Sequence, residues 1–170
     1  IYTVYLDFAC AFNSTDHEKM WEFMTSLGLP TQYINACRTI YNSSHTHFSI
    51  PHGSTSDIPI NRGTLQGDTL SPLLFLFFIE PLLKWLTVGS RGTYSDTATH
   101  PTKTSPIRES YDLTGFADDL TLSTTTIQDM SVQLQKVTAF SRYTRLDLAP
   151  KKCVATGALW NKGTPATPKN

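Results

Sequence analysis

Two aspartates stand side by side in the segment Phe116-Ala117-Asp118-Asp119. Tyr111-Asp112-Leu113-Thr114 lies just before it and Leu120-Thr121-Leu122 follows it. Both flanks read as strands, which puts the aspartates at the turn of a hairpin. Adjacent carboxylates at a turn repel each other, and a multivalent cation is the usual compensation. Asp is also a common turn former for backbone reasons, so the pair alone decides nothing. A third carboxylate, Asp7, ends the β-rich run Tyr2-Thr3-Val4-Tyr5-Leu6-Asp7. Phe12 follows it, and midway lies Arg62-Gly63-Thr64-Leu65-Gln66-Gly67-Asp68-Thr69-Leu70-Ser71-Pro72-Leu73-Leu74-Phe75.

Taken in order, these segments resemble the palm of a reverse transcriptase, most closely the non-LTR retrotransposon and group II intron branch. Leu6-Asp7-Phe8-Ala9-Cys10-Ala11-Phe12-Asn13-Ser14-Thr15-Asp16-His17 resembles the family's first catalytic motif. Gln66-Gly67-Asp68-Thr69-Leu70-Ser71-Pro72 resembles the second and Phe116 to Asp119 the third. Leu148-Ala149-Pro150-Lys151-Lys152-Cys153 resembles the lysine motif that follows them. Four motifs in the right order, across nearly the whole chain, are a specific signal.

The resemblance implies RNA-directed DNA synthesis: a primer 3′-hydroxyl attacks the α-phosphate of a deoxynucleoside triphosphate opposite an RNA template. Two magnesium ions about 3.5–4 Å apart, or manganese in their place, suit that reaction because charge develops on the attacking and leaving oxygens together. Asp7 and Asp118 are the implied bridging ligands, and Asp119 an outer one. Phe8, Gln66, Gly67 and Phe116 are implied in substrate binding. Phe12 stands where the family places an aromatic gate that leaves no room for a ribose 2′-hydroxyl. Lys152, ahead of Lys151, is implied as proton donor to the departing pyrophosphate. Asn13 departs from the Asp that related elements often carry, and Leu65 from a basic residue before the Gln-Gly pair.

Length and composition set bounds. At 170 residues the chain is one domain's worth, and 39% apolar with 16% charged residues excludes a disordered or fibrous chain. The net charge of zero is unusual for a nucleic-acid protein, which normally presents a basic face. The resemblance accounts for this: the palm carries the acidic site, and strand-gripping surfaces belong to fingers and thumb. The chain is therefore expected to be a fragment working with the remaining fingers and thumb of a larger polypeptide. Cys10, Cys37 and Cys153 form neither a disulfide framework nor a zinc pattern, as suits an intracellular and, for a retroelement, nuclear protein. His45-Thr46-His47 reads as a half-exposed strand. No signal peptide is visible, the apolar run Leu73 to Ile79 is too short to span a bilayer, and no membrane partner is expected.

A strand at 2–7 leads to a helix near 16–27 closed by Gly28, and a second helix spans 31–41. A hairpin is expected over 48–60, then a buried helix over 72–88 capped by Ser71 with Pro72 in its first turn. Residues 89–110 read as a loop insertion rich in Ser, Thr, Gly and Pro. After the Asp-Asp hairpin comes a helix over 127–145, whose Ile127, Met130, Leu134, Val137 and Phe140 recur at helical spacing. A strand follows near 153–159, and 161–170 reads as a flexible tail. The fold class is α+β: a palm with an antiparallel sheet, helices on one face and part of the fingers, over residues 1–160. Two other readings stand beside it, an RNA-directed RNA polymerase palm and an inactive relic that binds only nucleic acid or protein.

Overall fold

The computed structural model describes residues 1–65, 67–88, 94–97, 107–110, 113–157, 160–161 and 164–165. In chain order the elements are β1 (Tyr2–Leu6), α1 (Ala11–Ser14), α2 (His17–Ser26), α3 (Thr31–Asn42), β2 (His45–Thr46), β3 (Ser49–Ile50), β4 (Gly53–Ser54), β5 (Ile58–Pro59) and α4 (Ser71–Thr87). Then follow β6 (Tyr94–Thr97), β7 (Ile107–Ser110), β8 (Leu113–Phe116), β9 (Asp119–Thr124), α5 (Ile127–Thr144), β10 (Val154–Gly157), β11 (Trp160–Asn161) and β12 (Thr164–Pro165). They form two units, one of residues 1–9, 82–143 and 147–170, the other of residues 10–81 and 144–146.

The first unit is built on a four-stranded antiparallel sheet in the order β10-β1-β9-β8. Its central strands alternate as period-two patterning requires: Val4, Leu6, Leu120 and Leu122 are buried, while Tyr5 is exposed. One sheet face is therefore apolar. Leu83 of α4 comes to 4.0 Å of the Cβ that a side chain at Gly115 of β8 would carry. From α4 and α5, Leu82, Leu86, Met130, Val137 and Phe140 are also buried. A fully buried side chain of this size stabilises by about 1.5–3 kcal/mol relative to exposure. Polar side chains of α5 close the end of α4: Gln133 Nε2 donates to the Leu86 carbonyl at 3.1 Å, and Lys136 Nζ to those of Trp85 and Val88 at 2.8 and 2.9 Å. These carbonyls are ones a helix end leaves without partners.

In the second unit Asp16 caps α2 by accepting from the Lys19 N–H at 3.2 Å. Gly28, at φ 82, ends it in a left-handed turn: its N–H donates to the Thr25 carbonyl and that of Leu29 to Met24. Met20, Trp21, Met24, Ile34, Cys37 and Tyr41 of α2 and α3 are buried, as are Leu74, Phe75, Phe78 and Ile79 of α4. Phe23 and Phe78 meet with ring centroids 5.8 Å apart. The expected hairpin over 48–60 is present as β3 paired with β4, with β2 and β5 pairing outside it.

Several expectations are corrected. Within the expected loop at 89–110, β6 and β7 pair as an antiparallel ribbon, and β11 pairs with β12 where a tail was expected. Their Ser- and Thr-rich or Pro-containing strands lack the apolar alternation that announces a strand in sequence. Residues 89–93 and 98–106 of that loop, and Tyr111 and Asp112 of the expected strand, lie outside the described residues. Ser71 does not act as a helix cap: its hydroxyl donates to the Leu65 carbonyl at 2.6 Å. Ile127 is 58% exposed, and the polar Gln133 is buried on α5 instead.

Candidate active site

Asp7 follows directly on β1, where the strand leaves the sheet. The β1–β9 register pairs Tyr2 with Thr124 and ends with Leu6 on Leu120, so Asp7 and Asp119 are the next residues at that end of the ladder. Val4, Leu6, Leu120 and Leu122 take the apolar face, so alternation turns Asp7 and Asp119 to the other face. Phe116 pairs with Asp119 across the β8–β9 hairpin, and only Ala117 and Asp118 form its turn. Ala117 sits at φ 55, a left-handed value that Gly adopts without cost and Ala does not. A strand end thus meets a tight turn, and the register brings the backbones of all three aspartates to one edge of the sheet.

A second crossing holds Asp7 in place. The Ala149 N–H donates to the Asp7 carbonyl at 2.8 Å, the Ala9 N–H donates to the Asp147 carbonyl at 2.8 Å, and Phe8 bridges to Leu148. The chain then turns over Pro150 and Lys151, with the Lys152 and Cys153 N–H groups both donating to the Ala149 carbonyl. That turn carries the Lys152 ammonium to 3.3 Å from each Asp7 carboxylate oxygen. Cys153 Sγ contacts the Asp7 carbonyl at 3.8 Å. Phe8 is buried, which makes it a support for this crossing. Phe116 is 84% exposed, an unusual position for a phenylalanine in a strand.

The carboxylates are oxygen donors open to solvent, the type a hard divalent cation takes. Among the described residues, no hydrogen bond or ion pair engages the side chains of Asp118 and Asp119. Among the same residues no group of three or more His, Cys, Asp and Glu side chains is close enough to hold a metal ion. The donor chemistry fits magnesium, which is commonly held by one or two carboxylates with water and substrate phosphate completing the shell.

Phe12 and Gly67 belong to the second unit. Phe12 lies in the single turn α1, half-buried, with its ring stacked on Phe75 at a centroid distance of 4.6 Å and an interplanar angle of 30°. Gly67 has φ 85, and a Cβ there would meet nothing within 4 Å, so backbone conformation rather than crowding calls for glycine. Gln66 lies outside the described residues. Two residues of the quoted segments that carry no role of their own in the sequence pattern are built into this unit. His17 Nε2 donates to the Gly63 carbonyl at 2.7 Å, and Arg62 donates to the carbonyls of Ser14 and Arg145 at 2.8 and 3.1 Å.

Comparison with known proteins decides the family. The sequence model of the family described as reverse transcriptase (RNA-dependent DNA polymerase) matches residues 1–162. This chain belongs to the reverse transcriptase family. It is 27% identical over 164 residues to the Retrovirus-related Pol polyprotein from type-2 retrotransposable element R2DM of Drosophila melanogaster, covering 96% of this chain and 14% of that protein. It is 31% identical over 155 residues to a Pol polyprotein from type-1 retrotransposable element R2 of Popillia japonica, covering 89% of this chain and 20% of that protein. The chain thus spans a small part of the relatives it matches. Among solved structures it is similar to telomerase from Candida albicans in complex with a TWJ fragment of telomeric RNA, with a TM-score of 0.69 at 9% identity over 96% of this chain and 29% of that one. Apo telomerase from Candida tropicalis, truncated from its C-terminal domain, gives 0.67 at 12% identity over 98% of this chain and 32% of that one. This likeness is one of fold, an α+β polymerase palm. Among the described residues no helix is long and apolar enough to cross a membrane.

Proposed function

We propose that this reverse transcriptase chain is the palm core of an RNA-directed DNA polymerase from an R2-like non-LTR element. In this reading it adds deoxynucleotides to a primer 3′ end on an RNA template, inside the cell and with access to the nucleus. The observation that supports it best is that the β1–β9 ladder ends at Leu6 and Leu120, directly beside Asp7 and Asp119, with Asp118 in the adjoining two-residue turn. Asp7 and Asp118 would hold the two magnesium ions, with Asp119 outside them. When bound, such a pair stabilises the attacking and leaving oxygens of the transfer. Lys152, on its turn beside Asp7, gives a proton to the departing pyrophosphate. Phe12 excludes the ribose 2′-hydroxyl, Gln66 and Gly67 lie against the incoming nucleotide, and Phe116 and Phe8 face and support the primer end. Remaining fingers and thumb supply the basic grip that a chain of zero net charge lacks.

An aromatic residue at position 12 speaks against an RNA polymerase, and three retained carboxylates speak against a relic. Primer extension by the full polymerase that carries this chain, on RNA and DNA templates with each nucleotide type, tests the proposal. Asp118→Asn and Asp7→Asn are expected to abolish extension while primer–template affinity is kept. Full extension by either variant refutes the ligand roles.

A further inference from the structure

The single helical turn that carries Phe12 is too short to hold itself. Four residues make at most one intrahelical bond, and a nucleus of that size is unstable alone. Two of its carbonyls, and that of Thr15 just after it, are instead taken by three consecutive residues from elsewhere in the chain. The Thr64 N–H donates to the Phe12 carbonyl at 2.7 Å, Arg62 Nη2 to Ser14 at 2.8 Å, and the Gly63 N–H to Thr15 at 2.8 Å. Gly63 passes so close that an added Cβ would lie 2.7 Å from the Asn13 carbonyl oxygen, and its φ is 85. Residues 62–64 are therefore a strap fitted over 12–15, at a separation where only glycine passes.

The strap is itself pinned at both ends. At one end the buried His17 donates from Nε2 to the Gly63 carbonyl. Its ring is held edge-on against Tyr41, at a centroid distance of 5.1 Å and 89°. At the other end the Ser71 hydroxyl donates to the Leu65 carbonyl, and Ser71 opens the helix whose Phe75 stacks beneath Phe12. Phe12 is thus fixed through its backbone by the strap and through its ring by Phe75. A gate that separates two sugars differing by one hydroxyl works only if its ring stays within a fraction of an ångström of one position.

We propose that His17 and Gly63, with Arg62, are positioning residues that set the height of the Phe12 ring and so the choice between deoxynucleotide and ribonucleotide. This rests on the reading of Phe12 as the sugar gate. Each of the three acts on the backbone that carries the gate.

The test is the ratio of ribonucleotide to deoxynucleotide kcat/KM on one template, in the full polymerase that carries this chain. His17→Phe keeps an aromatic ring against Tyr41 and removes the donor. It is expected to raise ribonucleotide use relative to deoxynucleotide use about five- to tenfold, the effect of one lost hydrogen bond. Deoxynucleotide kcat/KM should stay within about threefold. His17→Gln, which keeps a side-chain N–H, is expected to return the ratio toward its starting value. Arg62 is exposed, so Arg62→Met folds whatever the fate of the buried histidine, and it is expected to raise the ratio in the same direction. An unchanged ratio in Arg62→Met and in folded His17→Phe, with a raised ratio in Phe12→Val, overturns the strap's role and leaves the gate standing. An unchanged ratio in Phe12→Val overturns the gate, and the strap's role with it.

Discussion

The Lys152 ammonium lies 3.3 Å from both carboxylate oxygens of Asp7, across 145 positions of sequence. Asp7 thereby has a single positive charge beside it, where the proposed function needs a divalent one. Lys152 is 68% exposed and Asp7 26%, so the pair contributes about 0–1 kcal/mol to stability and yields readily to a stronger partner. Lys152→Ala is expected to raise magnesium affinity several-fold by calorimetry, because the competing cation is gone. The same change is expected to lower kcat by roughly 10²-fold, within the range for a lost general acid, with little change in KM. Lys152→Arg separates the two effects, since a guanidinium keeps the charge and does not give up its proton. It should leave metal affinity near the unsubstituted value and kcat low. A kcat that Lys152→Arg restores in full would limit the lysine to charge balance.

Ala117 carries strain next to a carboxylate. A non-glycine residue at φ 55 costs about 1 kcal/mol, and here it sits in the two-residue turn with Asp118. Ala117→Gly is expected to leave stability within about 1 kcal/mol, since relief of strain is offset by the greater freedom of glycine in the unfolded chain. Ala117→Val is expected to destabilise by more than that, because a β-branched residue at positive φ is a genuine outlier. Urea midpoints at unchanged slope decide it. Equal stability of the two variants would show that the turn adopts another conformation.

The features legible in sequence were those whose cause is local. The alternation of Val4 and Leu6 announces β1, Gly28 ends α2, and the run from Leu74 to Ile79 announces a buried helix. The hairpin turn that holds Asp118 was legible for the same reason, since strand-like runs flank it. What escaped was set by distant partners. His17 donates to Gly63 across 46 positions, and nothing in the periodicity of α2 marks that histidine. Gln133 is buried because the Leu86 carbonyl needs a donor, a demand invisible in α5 itself. Lys152 stands out in sequence by its chemistry, while its contact with Asp7 follows from the 147–149 crossing that sequence does not display.

The three thiols differ in burial and should react in that order. Cys10 is exposed, Cys153 half-buried and Cys37 buried. Burial pushes the Cys37 thiol above its ordinary 9.0, and the neighbouring Tyr33 hydroxyl is likewise raised from 10.0, chiefly by burial and then by Cys37. Iodoacetamide at pH 8 is expected to label Cys10 first, then Cys153, and Cys37 only on unfolding. A thiol raised in the folded state stays protonated there after the unfolded chain has ionised. Stability from this group is therefore full below about pH 9 and falls as pH rises from there toward the folded value. Cys37→Ser should flatten that part of the pH–stability curve. Early labelling of Cys37 in native protein would contradict its burial.

Sugar choice gives the sharpest test of the proposed chemistry. The Phe12 ring, stacked on Phe75, is offered as the surface beneath the incoming sugar. Phe12→Val removes the ring and leaves Asp7, Asp118 and Asp119 in place. Ribonucleotide use is then expected to rise relative to deoxynucleotide use by about 10²-fold or more, since a tight pocket that loses its wall stops rejecting the added hydroxyl. Deoxynucleotide extension should be largely preserved. Phe12→Tyr keeps the ring and is expected to keep the preference. Discrimination is a ratio of kcat/KM values, so both substrates must be measured on one template with one primer. A general loss of activity at constant ratio would make Phe12 a packing residue of α1. A constant ratio in a fully active variant would place the gate elsewhere and remove the main ground for DNA as the product.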